Sequence, residues 1–186
     1  MANPDKPRGF TPVMHVSGAP WNGYVRTVGV TDGTDIFIGD MLNLTSNLAL
    51  PATTNDATFL GVAVGFGKKA DMSKSKGPAM NPDNLTTLYY DDSASTHTDW
   101  VVYYVPARDM VFEVQSNADL DLAVGDPCDL INTAGSTTTG RSQHEVGANT
   151  NTDFKVVDIP DYPDNDSTLA NTRYWITVTQ TETMFD

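Results

Sequence analysis

The residues able to do acid–base, metal or nucleophilic chemistry are few and scattered. The three histidines, His15, His97 and His144, stand far apart, and none has a neighbour at a chelating spacing such as His-x3-His. His97 lies in an acidic run from Asp91 to Asp99. That run offers carboxylates and an imidazole to a cation, but its spacing matches no known site and favours a solvated hairpin tip. The stretch Asp161–Asp166 supplies hard oxygen ligands without the ordered spacing and terminal Glu of a calcium loop, and its Pro163 points to a rigid turn. Asp119, Asp121, Asp126 and Asp129 read as a second solvated stretch. Cys128 follows Pro127 in an apparent strand and reads as a small core residue, not a thiolate. There is no Gly-x-Ser-x-Gly elbow, and Gly61–Gly67 lacks the Lys-Ser/Thr and following helix of a phosphate loop. The reading is therefore of a binder, with no catalytic residues, no metal and no cofactor expected. Tyr89, Tyr90, Trp100, Tyr103 and Tyr104 leave open an alternative, a glycan-binding β module that stacks sugars on these rings. Adjacent residues of a strand point to opposite faces, so at least half of these rings are expected in a core or interface.

The elements that must position any binding surface are β. The chain has 186 residues, 39% hydrophobic and 19% charged, and a formal net charge of −13. Thr, Asn, Ser and Gly fill the charge deficit, and they suit turns and sheet surfaces over exposed helices. The sign of the charge disfavours nucleic acid and anionic membranes as partners. No apolar run approaches the length that spans a bilayer. One cysteine allows no internal disulfide, and the N-terminus lacks a signal-peptide core, so folding in a cytoplasm is expected. Short β runs are predicted at 24–30, 36–38, 41–44, 58–66, 85–90, 100–105, 110–115, 128–131, 154–159 and 173–181. A weak helix is the one candidate at 116–122. The fold class is all-β, a compact β-barrel or β-sandwich domain at 24–186 with long loops. The lysine-bearing stretch at 67–84 reads as one such loop.

Residues 1–23 differ from the rest. Pro4, Pro7, Pro12 and Pro20 alternate with Gly9, Gly18 and Gly23, which favours extended chain. The same segment carries Phe10, Val13, Met14, Val16 and Trp21, which a flexible tail rarely does. It reads as an extended N-terminal arm, lying either on a neighbouring subunit or back on its own domain. Elsewhere, Ile36–Leu44 echoes Leu122–Leu130, each with Gly-Asp between apolar residues. Two such bends suggest a duplicated substructure, with chance similarity as the alternative.

Several segments resemble one family. The opening Asn3-Pro4-Asp5-Lys6-Pro7-Arg8-Gly9-Phe10-Thr11-Pro12, then His15 and Ser17–Gly23, is similar to the start of capsid decoration proteins of tailed bacteriophages, also called cement or head-stabilising proteins. Asp109–Gln115, Gly135–Ser142 and Tyr174–Val178 resemble further segments of that group. Met14 departs from the family pattern, where a basic residue is expected. The resemblance implies a virion structural protein on the capsid exterior that binds major capsid protein subunits and stabilises their contacts. It also implies a homo-oligomer, a homotrimer ahead of a dimer. Arg8, Phe10, Val13, His15 and Trp21 are then expected at the capsid or inter-subunit interface.

Overall fold

The computed structural model describes residues 2–54, 56, 58–68, 89–94, 97–148 and 150–179. Thirteen strands order them: β1 Thr11–His15, β2 Arg26–Val30, β3 Ile36–Phe37, β4 Met41–Thr45, β5 Leu48–Pro51, β6 Gly61–Lys68, β7 Tyr89–Tyr90, β8 Trp100–Pro106, β9 Met110–Gln115, β10 Pro127–Ile131, β11 Glu145–Gly147, β12 Phe154–Asp158 and β13 Arg173–Val178. The all-β expectation holds. The predicted helix at 116–122 is absent: Ser116 bridges to Val146 and its hydroxyl donates to the Ala118 carbonyl, while Asp121 has a φ of 44°. Those local bonds compete with helix formation. The stretch 69–88, which holds most of the lysine-bearing loop, lies outside the described residues.

Two five-stranded units carry the fold. In the first, β2-β5-β4-β6-β8 close into a barrel. In the second, β9-β13-β12-β10-β11 run side by side, and β9 meets β11 again through a parallel bridge from Ser116 to Val146. Taken around the ring, the order β2-β5-β4-β6-β8 is repeated by β9-β11-β10-β12-β13. In each ring one contact is parallel and the others antiparallel. The bulges repeat as well, between Ala63 and Gly65 in one unit and between Val156 and Asp158 in the other.

The Gly-Asp echo marks the same corner in both units. Gly39 and Gly125 have φ values of 98° and 96°, open to glycine and costly for other residues. In the first corner, Gly39 N–H donates to the Ala63 carbonyl (2.8 Å) and Ala63 N–H to the Asp40 carbonyl (2.9 Å). In the second, Gly125 N–H donates to Val156 and Val156 N–H to Asp126, both at 2.9 Å. Each Asp also caps its own turn through Oδ2, which accepts from Phe37 N–H at 2.7 Å or Ala123 N–H at 2.9 Å. The echo is a structural duplication.

Two apolar clusters hold the units. The first barrel encloses Val30, Ile36, Leu42, Ala49, Leu60, Phe66, Tyr90 and Val102. A larger cluster fills the second unit and its seam with the first, joining Phe112, Leu130, Phe154, Tyr174 and Ile176 to Met41, Phe59 and Val62. Strand β13 shows the half-buried pattern, with Tyr174, Ile176 and Val178 buried and Arg173, Trp175 and Thr177 half-buried between them. Cys128 lies in this core as expected, and burial pushes its thiol up to about 12.

The boundary expected between an arm at 1–23 and a domain at 24–186 needs correction. The N-terminal segment is built into the second unit. Strand β1 pairs antiparallel with β9, with Thr11 opposite Glu113 and His15 opposite Met110. The Asn3 side chain is buried; it donates to the Asp166 and Ala170 carbonyls at 2.8 and 3.0 Å and accepts from Asp166 N–H at 2.7 Å. All six residues of β9 are buried; on the face turned away from the core, Glu113 is covered by Arg8, Tyr162 and Trp175, and Gln115 Oε1 accepts from Lys6 N–H at 3.1 Å. The physical reason is the apolar content itself: Phe10 gains more from a core its own chain supplies than from solvent.

Candidate docking face

The chemistry-bearing residues are placed mainly to hold structure. Asp40, Ser142 and His144 converge, all buried, where the first corner meets the second unit. His144 Nδ1 accepts from Met41 N–H at 3.2 Å, which leaves Nε2 to carry the proton in the neutral ring, 3.6 Å from Asp40 Oδ1. The Ser142 hydroxyl accepts from His144 N–H at 3.0 Å. Burial raises Asp40 to about 7 and lowers His144 to about 4. Asp129 organises the loop before β12. It accepts from Thr150 N–H and Oγ1–H, from Asn151 N–H and from Thr152 N–H, which together hold its carboxyl below the usual range despite burial. No cluster of three or more His, Cys, Asp or Glu with metal-site geometry occurs among the described residues.

The expected interface residues separate into four places. Phe10 is 2% exposed and packs on Phe154 at 5.2 Å between ring centroids, so its assignment to an interface is corrected to the chain's own core. Arg8 lies beyond one end of β1, where its Nη2 meets Glu113 Oε1 at 2.6 Å. Val13 is half-buried within β1. His15 and Trp21 meet at the other end, beside a cavity of about 280 Å³ lined also by Tyr24, Arg26, Arg108 and Met110.

That end of the molecule is a partly apolar surface held by local hydrogen bonds. Strand β1 turns back on itself through Gly18 N–H donating to the His15 carbonyl and His15 N–H to the Ala19 carbonyl, both 2.8 Å. Val16 N–H donates to the Asp109 carbonyl at 2.9 Å and pins the turn to the seam between the units. Trp21 Nε1–H donates to the Tyr24 carbonyl at 3.2 Å while part of its ring packs against the core. The Tyr24 hydroxyl accepts from Arg26 Nε–H at 3.2 Å and raises the pKa of that guanidinium. Val16 and Tyr24 are 56% and 54% exposed, two of the three exposed large hydrophobics among the described residues. The sequence names His15 and Trp21 as interface candidates but gives Tyr24 and Val16 no such mark. Their exposure is decided by the turn that lifts them off the sheet, a tertiary outcome.

The aromatic run suggested as a sugar platform is mostly internal. Tyr90, Tyr103 and Tyr104 are buried, Tyr89 stacks on Phe37 at 4.8 Å, and Trp100 is half-buried under Lys68. No family model, curated protein or solved structure matches this chain.

Proposed function

We propose that this chain is a virion structural protein that docks on the outside of a tailed-phage head and reinforces contacts between major capsid protein subunits. The observation that carries the docking surface is a cavity lined by Trp21, Tyr24, Arg26, Arg108 and Asp109, with the exposed Val16 bonded through its N–H to the Asp109 carbonyl, on a protein of net charge −13. Trp, Tyr and Arg are the residue types that dominate binding energy at protein interfaces. The turn bonds hold them in place before binding, which lowers the entropy lost on docking. The acidic remainder faces solvent and keeps the decorated particle from nonspecific association. The resemblance in the N-terminal segment supplies the partner and a homotrimer as the assembly. A shell repeats its docking sites, so a linked oligomer gains strength from simultaneous contacts.

Point substitutions probe this face, since deleting the N-terminal segment would remove Asn3, Phe10 and β1 from the fold. Val16→Glu combined with Tyr24→Ala removes the exposed apolar groups and spares the core. The double variant should melt within a few degrees of the wild type and fail to decorate purified heads lacking the protein. Decoration at wild-type occupancy would refute this face as the docking surface.

A further inference from the structure

A second concave site lies at the opposite end of β1. Its cavity of about 390 Å³ is lined by Lys6, Arg8, Arg141 and Arg173, together with Gln115, Glu113 and Asp164. Four of the chain's 11 Lys and Arg residues thus gather at one pocket of a protein with net charge −13. They arrive from three separate segments, the N-terminal one, the turn before Ser142, and β13.

Two of the arginines are fixed by structure without using all their donors. Arg8 spends Nη2 on Glu113 Oε1 at 2.6 Å. Glu113 is itself locked through Oε2, which accepts from the Tyr162 hydroxyl at 2.9 Å and Trp175 Nε1–H at 3.2 Å. Arg173 pairs with Asp164 and lies over the Tyr162 ring, 4.5 Å from its centroid. A guanidinium carries five N–H donors in a planar fork, so each retains several that can face the cavity. The Lys6 and Arg141 side chains are exposed and have no partner among the described residues. Arg141 is tethered through its backbone: its carbonyl accepts from Ser136 N–H at 2.9 Å and its N–H donates to Thr139 Oγ1 at 3.4 Å, while the next residue's N–H, from Ser142, donates to the Ile38 carbonyl.

The duplication does not repeat the pocket's charged residues. Counting along the repeated strands, the first unit has Thr27 where the second has Glu113, and the buried Val101 where the second has Arg173. The first unit therefore has no counterpart of the charged residues Glu113 and Arg173.

We infer that this pocket binds an oxyanion, a carboxylate or phosphate group, through Arg141 and Lys6 with Arg8 and Arg173 as preset walls. Arginine forks match both groups in two-point fashion. Glu113 and Asp164 in the lining and the net charge of −13 disfavour a polyanion and favour a single anionic group. The site stands apart from the proposed docking face.

Calorimetric titration of the full chain at low salt tests it, with inorganic phosphate in one arm and a short Asp-Glu peptide with blocked ends in the other. Saturable binding in either arm is expected. Phosphate alone would point to a free anion, and the peptide to acidic side chains of a partner protein. Arg141→Glu should weaken binding about tenfold or more, and Lys6→Gln by a smaller factor. Arg26→Glu, in the other basic cluster, should leave it unchanged. Absence of saturable binding in both arms, or an equal loss from Arg26→Glu, would overturn the assignment. Unliganded melting curves show that each variant is folded, and Lys6→Gln keeps the test decisive if Arg141→Glu is not.

Discussion

The corner at Gly39-Asp40 and the corner at Gly125-Asp126 use one hydrogen-bond scheme in two different settings. The first is roofed: Arg8 and Gly9 pass over it, Phe10 N–H donates to the Gly39 carbonyl at 2.9 Å, and Ser142 and His144 close it from the side. The second is open, with Ala123, Val124 and Gly125 all exposed. A corner's backbone geometry is therefore a local property of Gly-Asp and a returning strand, whereas its cost of alteration depends on what lies above it. The N-terminal segment makes the difference, since it ties the second unit to the first corner.

The comparison breaks most sharply at the glycines. A Cβ at Gly39 would stand 2.4 Å from the Arg8 carbonyl oxygen and 3.2 Å from Ser142 Cβ, whereas a Cβ at Gly125 meets nothing within 4 Å. Gly39→Ala carries both a left-handed backbone penalty and a clash with another backbone, and should cost about 2–5 kcal/mol. Gly125→Ala carries only the first and should cost about 1–2 kcal/mol. Urea denaturation of the two variants measures the gap. Equal losses would mean that the N-terminal segment lifts away at little cost.

The buried pair under the first corner sets a smaller and pH-dependent difference. Asp40 rises from 3.8 to about 7 on folding, so between those values the native state holds a proton that the unfolded chain has lost, and stability falls with rising pH. His144 drops from 6.5 to about 4, so across that window the unfolded chain holds the extra proton and stability rises with pH. From about pH 4 to 6.5 the two slopes oppose, and the pair carries one proton in either state. Each single variant should expose the other's slope. Asp40→Asn should grow more stable relative to wild type as pH rises from 4 to 6.5. His144→Gln should lose stability over the same range. The relative slopes reach at most about 1.4 kcal/mol per pH unit. Urea midpoints at three pH values decide it, and two variants with the wild-type slope would show that the pair does not titrate there.

How far the sequence reveals this molecule depends on whether a signal is local. Strands β4, β8, β9, β10, β12 and β13 announce themselves as apolar runs, and the Gly-Asp echo reports the duplication because its bonds lie within a few residues of the motif. Strand β5 hides behind Pro51, although Ser46-Asn47, with φ values of 53° and 65°, is a two-residue hairpin signal that sequence reading passed over. Strand β11 is three residues long, too short for any period. Strand β1 contains Pro12 and reads as an arm because proline is tolerated at a sheet edge as readily as in extended chain. Phe10 falls in the chain's own core, and an apolar side chain in a Pro/Gly segment carries no mark of whose core it enters. Arg8, Arg141 and Arg173 could not be grouped in advance, since they meet only through the pairing of β1, β9 and β13 and the bridge from Ile38 to Arg141.

The smallest effect belongs to the open corner's own aspartate, and it separates local from tertiary stabilisation. Asp126 Oδ2 accepts from Ala123 N–H at 2.9 Å at an exposed site. Its backbone carbonyl and N–H make the strand-return and turn bonds whatever the side chain. Asp126→Ala removes one side-chain bond that water replaces, and should cost about 0.5–1.5 kcal/mol. The same change at Asp40 would strip Phe37 N–H of its partner in a buried site and cost more, about 1–3 kcal/mol from the orphaned donor alone. Thermal denaturation of Asp126→Ala beside Asp40→Ala is the measurement. A loss at Asp126 as large as that at Asp40 would show that the cap, and not the roof, sets the stability of both corners.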